Sequence, residues 1–174
     1  MRALLYSAAG YISGSILFAR VFGAVFKKDI LNQSRDGNPG TANAFMYGGV
    51  FCGVLTFLFE LLKGFIPVFL YLRKTPLLFN SLGLAFVLAA PVLGHAFPIF
   101  YRFSGGKGIA VSFGCLLGLL PAVTPVSVLA FTFLFFSLVL KIEPHYHRTF
   151  LTYALSAVLM FLIMPNKYIC WGFA

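Results

Sequence analysis

Long apolar stretches alternate with short polar connections along the chain. A helix that crosses a membrane needs about 20 mostly apolar residues, and six stretches come near this length. They run from about Ala3 to Phe26, Ala44 to Tyr71, Pro76 to Phe100, Ile109 to Leu120, Val123 to Leu140 and Thr149 to Met164. The fourth stretch is short, and prolines at its end predict a tight turn into the fifth. The pattern predicts an all-α integral membrane protein with about six transmembrane helices.

Composition supports a lipid environment for these helices. Hydrophobic residues make up 60% of the chain and charged residues only 10%, against about 25% charged residues in an average soluble domain. A soluble fold of this size needs a charged surface that this chain lacks. We find no internal repeat, linker or low-complexity segment, so residues 1–174 are predicted to form a single membrane domain.

The basic residues lie mainly at the ends of the apolar stretches. The chain has 13 Lys+Arg against 4 Asp+Glu, and this scattered placement argues against nucleic acid as a partner. Three connections, about 27–43, 101–107 and 141–148, hold seven of the basic residues. The excess of Lys and Arg places these connections in the cytoplasm. Two interpretations of individual basic residues stay open: topology signals, and sites for anionic substrates or lipid headgroups.

The first of these connections contains SRDGNPGTANAF, residues 34–45. Its glycines and small polar side chains are typical of a loop that offers backbone N–H groups to an anion. A helix predicted to open at Ala44 places Thr41 and Asn43 near a partially positive N-terminus. The alternative is a turn in which Asn43 is only the N-cap of that helix.

The second connection contains FYRFSGGKGIAVSFG, residues 100–114. Gly105, Gly106 and Gly108 allow a close approach of the backbone, and Lys107 adds a cation at the start of the next helix. The P-loop pattern G-x-x-x-x-G-K-[ST] is absent, because Ile109 follows Gly108. A flexible turn with a topology lysine and a phosphate-binding loop both fit these residues.

Three ionisable residues lie inside or near the predicted membrane layer. Glu60 and Lys63 stand deep in the second stretch, where charges are costly and usually paired, and their i,i+3 spacing allows them to pair with each other. Lys63 reaching a polar pocket is the other possibility. His95, near the end of the third stretch, is a candidate to bond either a substrate or a neighbouring carbonyl.

The third connection contains KIEPHYHRTF, residues 141–150. His145, His147 and Arg148 stand together there, but no third metal ligand lies at a suitable spacing, so no metal is predicted. Cationic contacts to a phosphate or a headgroup are the functional alternative to a solvated loop. The chain also lacks the G-x-S-x-G, G-x-G-x-x-G and H-x-x-x-x-D patterns, so an enzyme here would work by binding and positioning anions.

Four ordered motifs resemble one enzyme family. They are GSILFAR (14–20), KDILNQSRDGNPGTAN (28–43), ELLKGFIP (60–67) and LGHAFPIFYRFSGGKGIAVSFG (93–114). Together they resemble the bacterial integral-membrane glycerol-3-phosphate acyltransferases that use acyl phosphate as donor. The resemblance implies a seven-helix enzyme of the bacterial cell membrane with a cytoplasmic active site. It implies acyl transfer from acyl phosphate to the 1-hydroxyl of sn-glycerol 3-phosphate, giving lysophosphatidate and phosphate without a cofactor.

The resemblance also implies roles for residues of this chain. Gly37, Asn38, Gly40 and Asn43 match a Ser-Gly-Asn-x-Gly-x-x-Asn loop, with Asp36 in place of the serine. The expected catalytic residues are Lys107, Asn38 and Asp36. The expected substrate-binding residues are Arg35, Gly37, Gly40, Thr41, Asn43, His95, Ser104, Gly105, Gly106, Gly108, His147 and Arg148. Ser104 replaces the usual lysine of the second loop.

One family motif, a His-Arg-x-Asn run after a seventh helix, is not found before the chain stops at Ala174. The sequence is therefore expected to be a divergent or C-terminally shortened member. Two further hypotheses follow: a catalytically inactive membrane homologue that binds anionic lipid or a partner enzyme, and a transporter for a phosphorylated metabolite. The absence of internal repeats disfavours the transporter.

Overall fold

The computed structural model describes residues 1–75 and 81–164, together with Gly172. Within these residues the chain forms nine α-helices and no strand. They are α1 (Arg2–Gly14), α2 (Phe18–Val25), α3 (Ile30–Gln33), α4 (Thr41–Gly48), α5 (Val50–Lys74), α6 (Leu82–Ala96), α7 (Ile109–Leu117), α8 (Thr124–Leu134) and α9 (His145–Ile163). A 3₁₀ turn (Ile99–Tyr101) follows α6, and α8 continues into a π-helical turn (Phe135–Val139).

In the part of the chain that the structure describes, four helical stretches are long and apolar enough to cross a membrane. They are Arg2–Val25, Val50–Lys74, Leu82–Tyr101 and His145–Ile163, and Thr124–Val139 is a shorter apolar stretch. Their outward surfaces carry many exposed large apolar side chains, such as Leu4, Phe86 and Phe150. The prediction of an all-α integral membrane protein is confirmed, with the fourth and fifth predicted spans present as shorter helices.

The first two predicted spans are each divided into two helices. In the first, residues 15–17 separate α1 from α2, although no charged residue, glycine or proline lies at the break. In the second, Gly49 has a φ of +89° between α4 and α5, a backbone conformation that glycine adopts without strain. The short α4 is therefore a separate helix that directly follows the first glycine-rich loop, and it packs back against α5, where Gly53 lies against the Phe45 ring.

The boundaries of two other predicted spans also differ from expectation. The described part of the third span begins at Leu82, after the Ser81 N-cap, and its predicted start at residues 76–80 lies outside the described residues. The sixth begins at His145, directly after Pro144, rather than at Thr149. The third connection is thus shorter than predicted, and His145, His147 and Arg148 belong to the first turn of α9.

Glycines allow two pairs of helices to pack backbone against backbone. A side chain at Gly14 would overlap the Pro91 backbone of α6, and one at Gly94 would overlap Tyr11 of α1. Gly64 lies in the same way against Val111 of α7. Small residues permit this close approach, which is how helices pack in lipid. These contacts bring α1 against α6 and α5 against α7, and they hold the connections at one end of the helices close together.

Candidate functional site

A cavity of about 320 Å³ opens where two glycine-rich loops, around residues 36–43 and 105–108, meet the start of α9. Part of its lining is polar: Asp36, Asn38, Thr41, Asn43, Glu60, His95, Lys107, His145, Arg148 and Thr149. The rest is apolar or glycine: Gly40, Ala42, Met46, Phe57, Gly108, Ile109, Ala110, Phe113 and Phe133. Charged groups at a wall shared with aromatic side chains suit a ligand that has both an anionic and an apolar part.

The first glycine-rich loop folds around the carboxylate of Asp36. Asp36 Oδ1 accepts the backbone N–H of Asn38 at 3.2 Å and the side-chain amide of Asn43 at 2.8 Å. The same Asn43 nitrogen donates to the Asn38 carbonyl at 2.9 Å. Gly37 makes this turn possible with a φ of +58°, since aspartate followed by glycine is a favoured turn pair. The loop therefore presents its donors to one point, which Asp36 occupies.

Asn43 is not the N-cap of the following helix. That helix, α4, begins at Thr41 after Gly40, so Asn43 lies within its first turn. The cap interpretation is wrong because the amide of Asn43 turns back to the loop, where it bonds Asp36 and Asn38. Thr41 lines the cavity at the start of α4, and its buried hydroxyl has no hydrogen-bond partner among the described residues.

The second glycine-rich loop packs against the end of α6. The Gly106 N–H donates to the carbonyl of His95 at 3.0 Å. A Cβ at Gly106 would overlap His95 Nε2 and come within 2.8 Å of Asn38 Oδ1. Gly108, with a φ of +73°, then leads into α7. The absence of a side chain at Gly106 is thus what lets the two loops and His95 meet.

Lys107 joins the two glycine-rich loops. Its Nζ lies 2.7 Å from Asp36 Oδ2. Partial burial raises the pKa of Asp36, but hydrogen bonds from Lys107, Asn43 and the Asn38 amide outweigh this and lower it from 3.8 to about 2. The Asp36 side chain therefore holds a full negative charge at neutral pH. It therefore accepts hydrogen bonds from the Lys107 ammonium and the Asn43 amide, the same donors that an external anion would use.

The carbonyl of Lys107 is held from α9. The Tyr153 hydroxyl donates to it at 3.2 Å and lies 2.8 Å from the Ser112 hydroxyl of α7. One tyrosine thus connects α9, α7 and the second loop. This contact fixes the backbone of Lys107, while its side chain crosses to Asp36.

A buried triad of Glu60, Lys63 and His95 lies beneath the loops. Lys63 Nζ is 2.8 Å from Glu60 Oε2, and His95 Nδ1 is 2.9 Å from the same oxygen. All three residues are at most 5% exposed. The prediction that Glu60 and Lys63 pair with each other is confirmed.

The same triad caps the break between α1 and α2. Lys63 Nζ donates to the carbonyls of Gly14 (2.9 Å) and Ile16 (2.6 Å). Glu60 Oε1 accepts the Phe18 N–H at 3.1 Å. A cation therefore stands at the C-terminus of α1 and an anion at the N-terminus of α2, which matches the sign of both helix dipoles.

Two polar side chains at the start of α9 reach the cavity. His145 and Arg148 are one helical turn apart, bond each other and line the cavity. His147 is exposed and does not line the cavity; its ring lies against that of Tyr146, with centroids 3.9 Å apart and the planes tilted by 41°. The i,i+3 spacing explains why residue 148 joins residue 145 and residue 147 does not.

The expected site residues divide into two groups. Eight of them line the cavity: Asp36, Asn38, Gly40, Thr41, Asn43, His95, Lys107 and Gly108, with Arg148 as a ninth from α9. Gly106 contacts His95 and Asn38 from behind. Arg35, Gly37, Ser104, Gly105 and His147 are not among the lining residues.

Sequence reasoning missed the apolar part of the cavity and His145 as its lining residue. Met46, Phe57, Phe113 and Phe133 come from four different helices, and only Phe113 lies within one of the four motifs, where it is one apolar residue among several. Nothing in their local sequence distinguishes them from lipid-facing residues. The sequence did offer one signal for His145. Pro144 is a common residue at the start of a helix, and a helix that begins directly after it places His145 and Arg148 on the same face.

Comparison with known families gives one match over nearly the whole chain. The family model described as glycerol-3-phosphate acyltransferase matches residues 4–174. This range includes both glycine-rich loops, the triad and all the lining residues of the cavity.

Curated relatives carry the same description. A glycerol-3-phosphate acyltransferase from Cupriavidus taiwanensis is 39% identical over 122 residues, which are 70% of this chain and 60% of the relative. One from Aquifex aeolicus is 36% identical over 135 residues, 78% of this chain and 69% of the relative. The match thus spans about 60% of the length of the Cupriavidus relative.

Two crystal structures share the fold. Both are of PlsY (YgiH), an integral membrane glycerol 3-phosphate acyltransferase. The glycerol 3-phosphate form has a TM-score of 0.81 at 29% identity, and covers 99% of this chain and 83% of that one. The lysophosphatidic acid form has a TM-score of 0.78 at 27% identity, with the same coverage.

Proposed function

The chain belongs to the glycerol-3-phosphate acyltransferase family, and from that premise we propose that it transfers a fatty acyl group to glycerol 3-phosphate. The donor is acyl phosphate, the acceptor is the 1-hydroxyl of sn-glycerol 3-phosphate, and the products are lysophosphatidate and phosphate. Both substrates carry a phosphate and one carries a long apolar tail. The solved relatives in glycerol 3-phosphate and lysophosphatidic acid forms support this pairing of ligand and fold.

The observation that carries the proposal is the junction of the two glycine-rich loops at Asp36 and Lys107. There a cation, a side-chain amide and a backbone N–H converge within 3.2 Å of one carboxylate. A phosphate needs the same kind of donors. Arg148 supplies a further cation to the cavity, and His145 supplies an imidazole ring, which suits a reaction with two phosphate groups.

The apolar lining supports the acyl donor. Phe57, Phe113 and Phe133 share the cavity with Lys107, so one ligand with a phosphate and an alkyl chain contacts both kinds of wall. We propose that these aromatic residues hold the first carbons of the acyl chain while the remainder extends into lipid.

The reaction needs a cation for the phosphate and an acceptor for one proton. The hydroxyl oxygen attacks the acyl carbon, a C–O bond forms, and the bond from that carbon to the phosphate oxygen breaks. Lys107 neutralises the phosphate that leaves, and the Asn38 amide orients the reacting groups. Asp36 accepts the hydroxyl proton and passes it to the departing phosphate.

Asp36 has to leave Lys107 before it acts as a base. While Lys107 holds it, its low pKa makes the carboxylate a weak proton acceptor. A substrate phosphate that binds Lys107 separates the pair, and the pKa of Asp36 then rises. Binding of the phosphate and activation of the base are coupled in this proposal.

We also propose that the reaction takes place at the cytoplasmic face of a bacterial cell membrane. Both loops and the start of α9 carry the excess of basic residues that is typical of cytoplasmic connections. A cysteine introduced at exposed Arg35 should react with a membrane-impermeant thiol reagent only after cells are opened. Labelling in intact cells would contradict this orientation.

The test of activity is a direct assay. The purified full chain is incubated with palmitoyl phosphate and labelled glycerol 3-phosphate, and lysophosphatidate is quantified against a boiled control. Palmitoyl-CoA serves as the comparison donor and should give no product. Lys107→Ala should abolish turnover, whereas Lys141→Ala, which removes an exposed cation outside the cavity, should leave the rate unchanged.

A second function is favoured by one specific observation. Asp36 already occupies the donors of the loop junction, so an external anion has to compete with it. A homologue that binds anionic lipid without catalysis would show this feature. It predicts no lysophosphatidate from a folded protein that still binds phosphatidate, whereas turnover above the boiled control would exclude it.

A further inference from the structure

We propose that an open groove beside α2 binds the phosphate headgroup of an anionic phospholipid. The groove has a volume of about 780 Å³ and lies between α2, residues 27–32 and Tyr101. None of its lining residues lines the cavity described above. It is therefore a separate site, and the proposal holds whether or not the chain catalyses acyl transfer.

The groove is strongly positive. Arg20, Lys27 and Lys28 line it, against a single acid, Asp29. The Asp29 carboxylate is already used as the cap of α3: it accepts the backbone N–H of Asn32 at 3.3 Å and its side-chain amide at 2.8 Å. Among the described residues no carboxylate forms an ion pair with the three cations. Their charge is left for a ligand.

Arg20 provides the most specific sign of a missing partner. Its guanidinium lies 4.9 Å from the centroid of the Tyr101 ring, which holds the group at the groove wall. Its Nε is buried and has no hydrogen-bond partner in the described structure. A buried donor without a partner is costly, and a phosphate oxygen is the acceptor that suits a guanidinium best.

The backbone of the turn after α2 gathers the lysines at the groove. Lys27 adopts a φ of +53°, and the Lys28 N–H donates to the Gly23 carbonyl at 2.8 Å. This turn reverses the chain at the end of α2. Lys27 and Lys28 consequently line the same groove as Arg20, although they are seven and eight residues further along the chain.

The remaining walls favour a lipid over a soluble anion. Val21, Ala24 and Leu31 line the groove with accessible apolar side chains, and exposed Val25 continues the same apolar surface along α2. A free phosphate gains nothing from these side chains. A phospholipid places its headgroup among the cations and its glycerol and first methylenes against this wall.

The experiment is photo-crosslinking in a bilayer. The full chain is reconstituted in phosphatidylcholine nanodiscs with a trace of phosphatidate that carries a diazirine next to its glycerol. We expect crosslinks in residues 19–32 or at Tyr101, mapped by mass spectrometry. Arg20→Gln should lower their yield about tenfold, as expected for the loss of a charge-assisted bidentate contact. Lys28→Gln should lower it several-fold, and thermal melting confirms that each variant is folded.

Matched controls separate a built site from general surface charge. Arg102→Gln and Lys141→Gln remove exposed cations outside the groove and should change the yield less than twofold. Excess phosphatidylglycerol should suppress the crosslinks, whereas excess inorganic phosphate should not. Crosslinks that map elsewhere, an equal loss in the control variants, or suppression by inorganic phosphate would each overturn the proposal.

Discussion

Removal of the Lys63 ammonium is expected to be among the most damaging single changes outside the cavity. Its Nζ contacts Glu60 and donates to the carbonyls of Gly14 and Ile16. Lys63→Met keeps most of the volume but leaves both carbonyls without this donor, at about 1–3 kcal/mol each. It also removes the cation from Glu60, which is 1% exposed. We expect a loss of about 3–5 kcal/mol in the free energy of unfolding, as for a broken buried ion pair.

The measurement uses the buried thiols of Cys52 and Cys115 as reporters. In a Cys170→Ala background only these two thiols are present, and a thiol-reactive fluorophore follows unfolding of the purified chain during an SDS titration in mixed micelles. Lys74→Met, at the exposed end of α5, is the matched control and should cost less than about 0.5 kcal/mol.

A second variant tests whether the charge of Glu60 is responsible. Glu60→Gln combined with Lys63→Met removes both charges, so the loss should be smaller than the sum of the two single changes. The reasoning is refuted if Lys63→Met costs no more than Lys74→Met. It is also refuted if the double variant loses as much free energy of unfolding as the two single variants lose together.

Three further predictions concern the loop junction. Asp36→Ser frees Lys107 and Asn43 from their ion pair and hydrogen bond. It should tighten the binding of glycerol 3-phosphate, measured by isothermal titration calorimetry, and lower turnover. Weaker binding would refute the idea that Asp36 competes with the substrate phosphate. The pKa of Asp36 is about 2, below its ordinary 3.8, so the pair stabilises the fold above pH 4 and this is lost as the pH falls toward 2. Because Asp36 is 36% exposed, the effect is below about 1 kcal/mol, and the melting difference between wild type and Asp36→Asn should shrink between pH 5 and 2. Gly106→Ala forces a Cβ against His95 and Asn38 and should cost about 1–3 kcal/mol with a large loss of turnover; a normal rate would show that the loops do not need this contact.

Residue types and topology predicted where the polar loops meet. The alternation of apolar and polar stretches placed SRDGNPGTAN and SGGKG at the same end of the helices, and the structure brings Asp36 to 2.7 Å from Lys107. The ion pair itself could not be predicted, since either side chain might have faced solvent. Its consequence is that the expected free cation is neutralised by a carboxylate of the same chain.

Hydropathy could not reveal the break in the first span. Residues 15–17 are no more polar than their neighbours, and the groups that make the break stable belong to Glu60 and Lys63, far along the sequence. The pairing of these two residues was predictable from their i,i+3 spacing. Their role as caps for another helix was not, because it depends on how α5 packs beside α1 and α2.

The start of α9 shows how a small error in a helix boundary changes a site. A start at Thr149 left His145, His147 and Arg148 in a loop, and His147 and Arg148 were the two expected to bind substrate. The helix begins four residues earlier, and its periodicity then separates them. Arg148 faces the cavity with His145, and His147 faces away.

The divided first span also sets an order of assembly during membrane insertion. Backbone carbonyls and N–H groups cannot remain unsatisfied in hydrocarbon, and the Gly14 and Ile16 carbonyls and the Phe18 N–H bond to Lys63 and Glu60 of α5. The N-terminal segment is synthesised before Lys63, so at that stage its partners are missing. It must therefore wait, as a continuous helix or beside the insertion machinery, and take its final broken form only when α5 arrives. A chain cut before α5 should insert this segment as one straight helix.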